Sequence, residues 1–466
     1  MLHVGFAVRI SKSSVYYRAI HTTIMAPKTF SSPLFQMAKY LANALMPCYL
    51  HQATCHGAGD ERRTRFLDGL RGYASLVVFT SHFLDPFQPY KRFVYGYGLD
   101  NRWIFQLPII RLLYSGVPMV AIFFLISGYA LSHKPFSTIR SESWDQFSDI
   151  MASAIFRRGI RLFLPTLAST FMVMISTGLH FQDFAGYLTL PGVIEARPLR
   201  FNGPYDQLVD WYHFVVAELT NPWVWQVHDY AYDPHLWTIP IEFRASMILF
   251  MFIICISRFR RPFRLALSGA FWVYCMWCDK WHVALFITGM CIADVSLDSR
   301  RPTFCKDLYY TLPMLVLGLF MLSFPIRNGS ETPGFIWLSM ITPKYTNWHC
   351  IGAMLTVWPL NHSEELQRMF TTLFAGYLGK LSYALYLVHG PALHSFGYGT
   401  VVAIWSVFGK ETMIQHLGGL FLGFLLVTPV VFWWSDVFER LVDRPSIELA
   451  RWMYLKAKGT EAVTII

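Results

Sequence analysis

The sequence predicts an all-α fold, a polytopic transmembrane helix bundle of about ten spans, and two observations carry that reading. Of 466 residues, 54% are hydrophobic and 15% charged, against roughly 25% charged in a soluble domain. The apolar residues also gather into long runs, such as 117–133, 245–256 and 416–434, and mean hydropathy is +0.36. A bilayer offers no water to backbone groups, so such runs must be helices, each needing ~20 residues to cross.

The chain divides into three parts. Residues 1–62 read as a basic cytosolic tail: 1–59 hold no Asp or Glu but do hold Arg9, Lys12, Arg18, Lys28 and Lys39. A mitochondrial transit peptide has a similar composition, and Met25 or Met37 could equally initiate. Residues 63–437 carry the spans, placed at 66–84, 117–133, 160–179, 236–256, 263–278, 280–295, 308–324, 348–360, 371–391, 397–408 and 416–436. Residues 438–466 form a basic C-terminal tail.

Charge sets the orientation, because cytosolic loops collect Lys and Arg. Arg62, Arg63 and Arg65 precede the first span, 134–161 carries Lys134, Arg140, Arg157, Arg158 and Arg161, and 258–264 reads RFRRPFR. These segments lie inside. The 180–234 loop has seven acids (Asp183, Glu195, Asp206, Asp210, Glu218, Asp229, Asp233) against Arg197 and Arg200, so it lies outside. Eleven crossings would leave the basic tail outside; ten keep it in, so 348–360 or 397–408 falls short of a full crossing. Asn328-Gly-Ser330 lies in an outer loop as a weak glycosylation signal, whereas Asn361-His-Ser363 falls inside.

The net charge of +10 does not indicate nucleic acid, because the basic residues sit between apolar runs rather than on one patch. Cys275 and Cys278 form a CMWC pair, but no second pair at metal spacing accompanies it. No bound metal or cofactor is expected.

Ionisable groups inside spans are expensive and mark function by default. Arg71 and His82, eleven residues apart, sit about 20° apart around the first helix and about 16 Å apart along it. Asp68, one turn before Arg71, can partner it. The alternative is that Arg71 snorkels and His82 sits at the opposite interface. Glu242 lies two turns after His235 on one face, either functional or pairing with an arginine to stitch helices. Arg158 and Arg161 share a face and could grip phosphates bidentately, or simply anchor the span. Lys380, Tyr383, Tyr386 and His389 fall in one apolar run, where the histidine could bind substrate or sit satisfied in the core.

Taken together and in order, FLDGLRGYASLVVFTSHF, FFLISGYALS, RRGIRLFLP, LWTIPIEF and LGKLSYALYLVHGP resemble the acyltransferase-3 family of membrane-bound O-acyltransferases, over roughly residues 64–450. The family's Arg-x10-His motif falls on Arg71 and His82, Arg-x-x-Arg on Arg158 and Arg161, and Trp-x4-Glu on Trp237 and Glu242. Its Ser-Tyr-x-x-Tyr-x-x-His element falls on Ser382, Tyr383, Tyr386 and His389. A late Glu-basic-Pro element appears as Asp443-Arg444-Pro445, a departure. The aromatic outer loop and the long tail resemble fungal members, which are often associated with acylating secondary metabolites.

The resemblance implies transfer of an acyl group, commonly acetyl, from acyl-CoA as co-substrate to the hydroxyl of a small molecule. His82 is then expected as general base or acyl carrier, with Glu242 orienting it and Arg71 steadying the thioester or developing charge. Arg158 and Arg161 are expected at the donor phosphates, and Trp237, Tyr383, Tyr386 and His389 at the substrate. Expected partners are membrane lipid, the hydroxyl acceptor and acyl-CoA, and the expected location is the endoplasmic reticulum or another endomembrane. The alternative is a secondary transporter, whose buried Arg, His and Glu would serve proton coupling, or an acyl-group translocator. No internal two-fold repeat of the transporter kind is legible.

Overall fold

In a computed structural model, residues 64–88, 94–98, 101–182, 190–192, 195–222, 230–298 and 307–459 are described. They are helical, with no strand among them. The helices of more than ten residues are α1 (Arg65–Leu84), α2 (Gly116–Arg140), α3 (Trp144–Gly178), α4 (Pro204–Phe214), α5 (Thr238–Ile256), α6 (Arg261–Trp277), α7 (Trp281–Ser296) and α8 (Leu308–Leu322). They continue with α9 (Tyr345–His362), α10 (Leu373–Ala392), α11 (Tyr398–Phe408), α12 (Met413–Phe438) and α13 (Arg444–Ala457).

Every apolar run expected to span therefore becomes a helix. The segments Gly116–Arg140, Trp144–Gly178, Pro234–Ile256 and Met413–Ala457 are long and apolar enough to cross a membrane, and α7 and α8 are shorter apolar helices. Prolines inside α2, α3, α8, α9, α10 and α12 are tolerated because neighbouring helices satisfy the freed backbone groups. The outward faces are apolar: Phe421 and Ile414 of α12, Tyr309 of α8 and Trp277 of α6 are exposed, a surface suited to lipid rather than water.

Two of the expected boundaries read differently in three dimensions. The runs 371–391 and 397–408 are one helical stretch, because the π turn Leu393–Gly397 joins α10 to α11. By itself α11 is about 17 Å long at 1.5 Å per residue. The segment expected as a C-terminal tail is helical to Ala457, and the π turn Glu439–Asp443 links α12 to α13. Residues 1–63, with the basic N-terminal tail, lie outside the described residues. The Asn328 amide donates to the Tyr97 hydroxyl, so glycosylation would have to break that bond. Cys275 is buried, Cys278 partly so, and both are free thiols, as expected of thiols packed in a helix.

The site depends on how α1 packs on α10. At the crossing Gly379 has no room for a side chain: an added Cβ would stand 2.5 Å from the carbonyl oxygen of Asp68. Small residues allow such close approach of membrane helices, and the approach carries Arg71 to the Gly379 carbonyl (3.2 Å) and Ser382 Oγ (2.8 Å). Gly379→Val should lower the folded yield in detergent by about tenfold, as overpacking does. Gly418→Val, where nothing lies within 4 Å, should leave it unchanged; size-exclusion profiles of the two proteins check this.

Candidate active site

Two neighbouring features contain nearly all the expected residues. The first is a cavity of ≈ 330 Å³ whose lining includes Arg71, Ser127, Arg158, Arg161, Glu242, Lys380, Tyr383, Tyr386, Glu439 and Asp443. Glu242 is paired there: Arg158 Nη2 donates to its Oε1 at 2.7 Å and Ser127 Oγ at 2.9 Å, while Arg158 Nε donates to Ser246 Oγ at 2.9 Å. The bond stitches α5 to α3. Arg71 also meets Asp68 at 3.5 Å, as the one-turn spacing suggests. Arg161 lines the cavity, is exposed and has no hydrogen-bond partner among the described residues, so its guanidinium is available to an anion.

The second feature is a histidine cluster beyond the cavity. His82 comes from the end of α1, His235 from the turn Pro234–Trp237 before α5, His389 from α10 and His394 from the π turn after it. The ring centroids of His82 and His235 are 3.7 Å apart, and His389 is 5.4 Å from the first and 4.6 Å from the second. The spacing of eleven does place Arg71 and His82 on one face of α1, the face turned to α10, yet at different depths.

Glu242 does not orient His82, because its carboxylate is held by Arg158 and Ser127. Glu195 of the outer loop takes that place, accepting from His82 Nδ1 at 3.0 Å, from His235 Nε2 at 3.1 Å and from His394 Nε2 at 3.0 Å. Asp85 Oδ2 lies 3.3 Å from the same His82 nitrogen, and Asp233 Oδ1 accepts from His235 Nδ1 at 2.7 Å and from its backbone N–H at 3.0 Å. Gly390 makes room for the His235 ring, since a Cβ there would stand 2.8 Å from Nδ1. Burial alone would raise the Glu195 carboxyl, but His235 and the hydrogen bonds of His235, His394 and His82 hold it well below the usual carboxylate range.

His82, His235 and His389 offer ligand atoms within 4.8 Å of one another, so they could hold a divalent ion. An ion between His235 Nε2 and Glu195 would have to displace the proton those two share.

Between cavity and cluster stands Tyr386. It lines the cavity, its hydroxyl is 2.6 Å from that of Thr238 and donates to the His235 carbonyl, and its ring is 5.9 Å from His389. The Tyr383 hydroxyl donates to Leu162 O at 2.7 Å. Both phenols are thus engaged within the protein, and what they present to the cavity is mainly ring. Trp237 packs against apolar core on both sides and does not line the cavity. Sequence reading passed over Glu195, Asp233 and His394 as site residues. Only the Asp-Pro-His run at 233–235, an N-cap signal, hints at one of them.

Residues 64–440 match the family model described as an acyltransferase domain, and the chain belongs to that family, acyltransferase-3. It is similar to the O-acetyltransferase PaAT-1 of Phomopsis amygdali, 32% identical over 442 residues, covering 85% of this chain and 86% of that one. It is also similar to acyltransferase R4 of a Phoma species, at 27% over 84% of this chain and 96% of the relative. A third relative, acyltransferase clz18 of Cochliobolus lunatus, is 26% identical, over 82% and 94%. No solved structure gives a significant match. The protein is an enzyme, an acyltransferase of groups other than aminoacyl groups, and the transporter alternative gives way to that.

Because Arg158 and Glu242 hold each other, their substitutions should not add. Arg158→Met and Glu242→Gln are each expected to lower acyl transfer by about tenfold or more. The double variant should fall little below the worse single one, as for residues acting as a unit. Initial rates of the four proteins in one membrane preparation check this.

Proposed function

We propose that this protein is an integral membrane O-acyltransferase moving an acetyl group from acetyl-CoA to a hydroxyl of a small molecule, such as a fungal secondary metabolite. The observation that carries the reading is the cavity in which Arg71, Arg158, Arg161 and Lys380 converge, four cations against the three acids Glu242, Glu439 and Asp443, with Arg158 and Lys380 paired to the first two. Such a concentration of cations inside an apolar bundle suits an anionic ligand, and planar guanidiniums match phosphate oxygens. By the positive-inside rule this end faces the cytosol, where the donor is made. The same rule, with α10 and α11 counted as one stretch, supports ten crossings. Multi-pass insertion supports the endoplasmic reticulum or another endomembrane, with lipid against the apolar faces.

In this reading the acceptor oxygen attacks the thioester carbonyl carbon while His82 Nε2 takes the hydroxyl proton. The tetrahedral oxyanion then collapses, the C–S bond breaks, and the CoA thiolate recovers the proton from the imidazolium. Arg71, eleven residues and about 16 Å along the helix from His82, belongs with the donor's charged end rather than the reacting carbon. Arg161, which lines the cavity without a hydrogen-bond partner among the described residues and with Asp443 as its neighbouring acid, serves the donor phosphates, and Arg158 is held ready by Glu242. Tyr386 stands between this cavity and the histidines, so the thioester arm passes beside the Thr238–Tyr386 pair. Rings of Tyr383 and Tyr386 flank it, and His389 stands near the acceptor side.

Labelled acetyl-CoA incubated with purified protein and a panel of sugar, terpenoid and polyketide alcohols tests the reading. His82→Ala should lower transfer by ~10²–10⁴-fold, the usual contribution of a general base, while the protein still reaches the membrane. Retained activity in purified His82→Ala would refute the base assignment. Arg161→Ala should raise the KM for acetyl-CoA by about tenfold, the loss of one charged contact, and leave the acceptor KM unchanged.

A further inference from the structure

Glu195 comes from a loop rather than a spanning helix, yet its side chain is only 9% exposed and three imidazoles converge on it. His82 Nδ1 and His235 Nε2 both reach Oε1, and His394 Nε2 reaches Oε2, at 3.0, 3.1 and 3.0 Å. These rings come from α1, from the turn before α5 and from the π turn after α10, so one carboxylate ties together three separate parts of the bundle. An ionised carboxylate only accepts hydrogen bonds, so every ring nitrogen facing it carries its proton.

For His82 that settles the tautomer. Nδ1 is the protonated nitrogen, facing Glu195 and, at 3.3 Å, Asp85. The lone pair of the neutral ring is therefore on Nε2, which has no hydrogen-bond partner among the described residues, on a side chain 23% exposed. His389 is set the same way by a different acceptor. Its Nδ1 donates to Leu385 O at 3.0 Å, and its Nε2 is buried and unpartnered.

We infer that Glu195 is the positioning residue of the active centre: a carboxylate delivered by the outer loop that holds His82 in the tautomer able to accept the hydroxyl proton, and then stabilises the imidazolium. The inference rests on the reading in which His82 takes that proton. The groups facing the cluster are Asp85 from the end of α1, Asp233 and His235 from the turn before α5, His389 from α10 and His394 from the π turn. Glu195 is the acid common to three of the four imidazoles. Its carboxyl, held below the usual range by those same imidazoles, stays ionised at neutral pH. A carboxylate behind a metal-bound histidine is worth 10–100-fold and the one behind the histidine of a Ser-His-Asp triad about 10⁴-fold in kcat, which brackets the loss expected here. A consequence is that the outer loop must be seated before the site is complete.

The test compares Glu195→Gln and Glu195→Asp in the purified full-length protein with acetyl-CoA and an accepted alcohol. Glutamine should lower kcat by about 100-fold with the KM for acetyl-CoA within about twofold, because the donor cavity is untouched. The acid limb of the kcat profile should move to lower pH, since the cluster loses the negative charge that holds protons on its imidazoles. Aspartate should restore at least about a tenth of the lost rate. If glutamine does not give folded protein, the aspartate variant carries the test, with kcat reduced and donor KM unchanged. An unchanged kcat in Glu195→Gln, or in Glu195→Asp where glutamine does not fold, overturns the inference, as does a loss in which donor KM rises in step and the pH profile stays put, the mark of a loop clasp alone. His82→Ala run in parallel separates the two levels: if it is inactive while Glu195→Gln is not, only the role of Glu195 falls; if it is active, the proton-acceptor reading falls with it.

Discussion

A charge inside an apolar helix bundle has to be paired or has to face a cavity, because desolvation in a low dielectric otherwise costs several kcal/mol per ion. That constraint orders this protein. Arg264 and Arg140 close on Asp294, far from the site. Arg158 closes on Glu242 and Arg440 on Asp436. Against this background Arg161 stands out, since it faces the cavity without a hydrogen-bonded protein partner. The histidine cluster obeys the same rule, because imidazoles that would be costly to bury together become mutually compatible around Glu195.

Irregular backbone does much of the placing. A π turn inserts one extra residue into a helical run and turns side chains off their expected faces. At Leu393–Gly397 this brings His394 to Glu195, and at Glu439–Asp443 it brings both terminal acids to the cavity wall. The chain after α12 thereby ceases to be a tail and becomes part of the site, with α13 docking on α3 through Tyr454 against Phe156. Both π turns follow long apolar helices.

The arrangement also separates two kinds of chemistry along one axis. Cations and rings occupy the cavity, imidazoles and carboxylates lie beyond it, and the Tyr386 hydroxyl bridges the two through Thr238 and the His235 carbonyl. For the proposed acetyl-CoA-dependent transfer that polarity has a purpose: a bulky anionic donor at one end and proton transfer at the other. In that proposal an acyl group and an alcohol meet away from bulk water, which would otherwise hydrolyse the thioester.

Which segments become helices is legible along the chain, because bilayer-length apolar runs have no other way to satisfy their backbone. Equally legible are the shared face of Arg71 and His82 and the pairing of Arg71 with Asp68, because periodicity along one helix follows from its 3.6-residue turn. Which helices adjoin was left to the tertiary structure. Glu242 and His235 look like companions two turns apart, yet Glu242 turns to Arg158 on α3 while His235 meets Glu195. Glu195 itself sits in a loop, where no period relates a residue to its neighbours in space. Only the packing of α1 against α10 and the seating of that loop decide which acid meets which histidine.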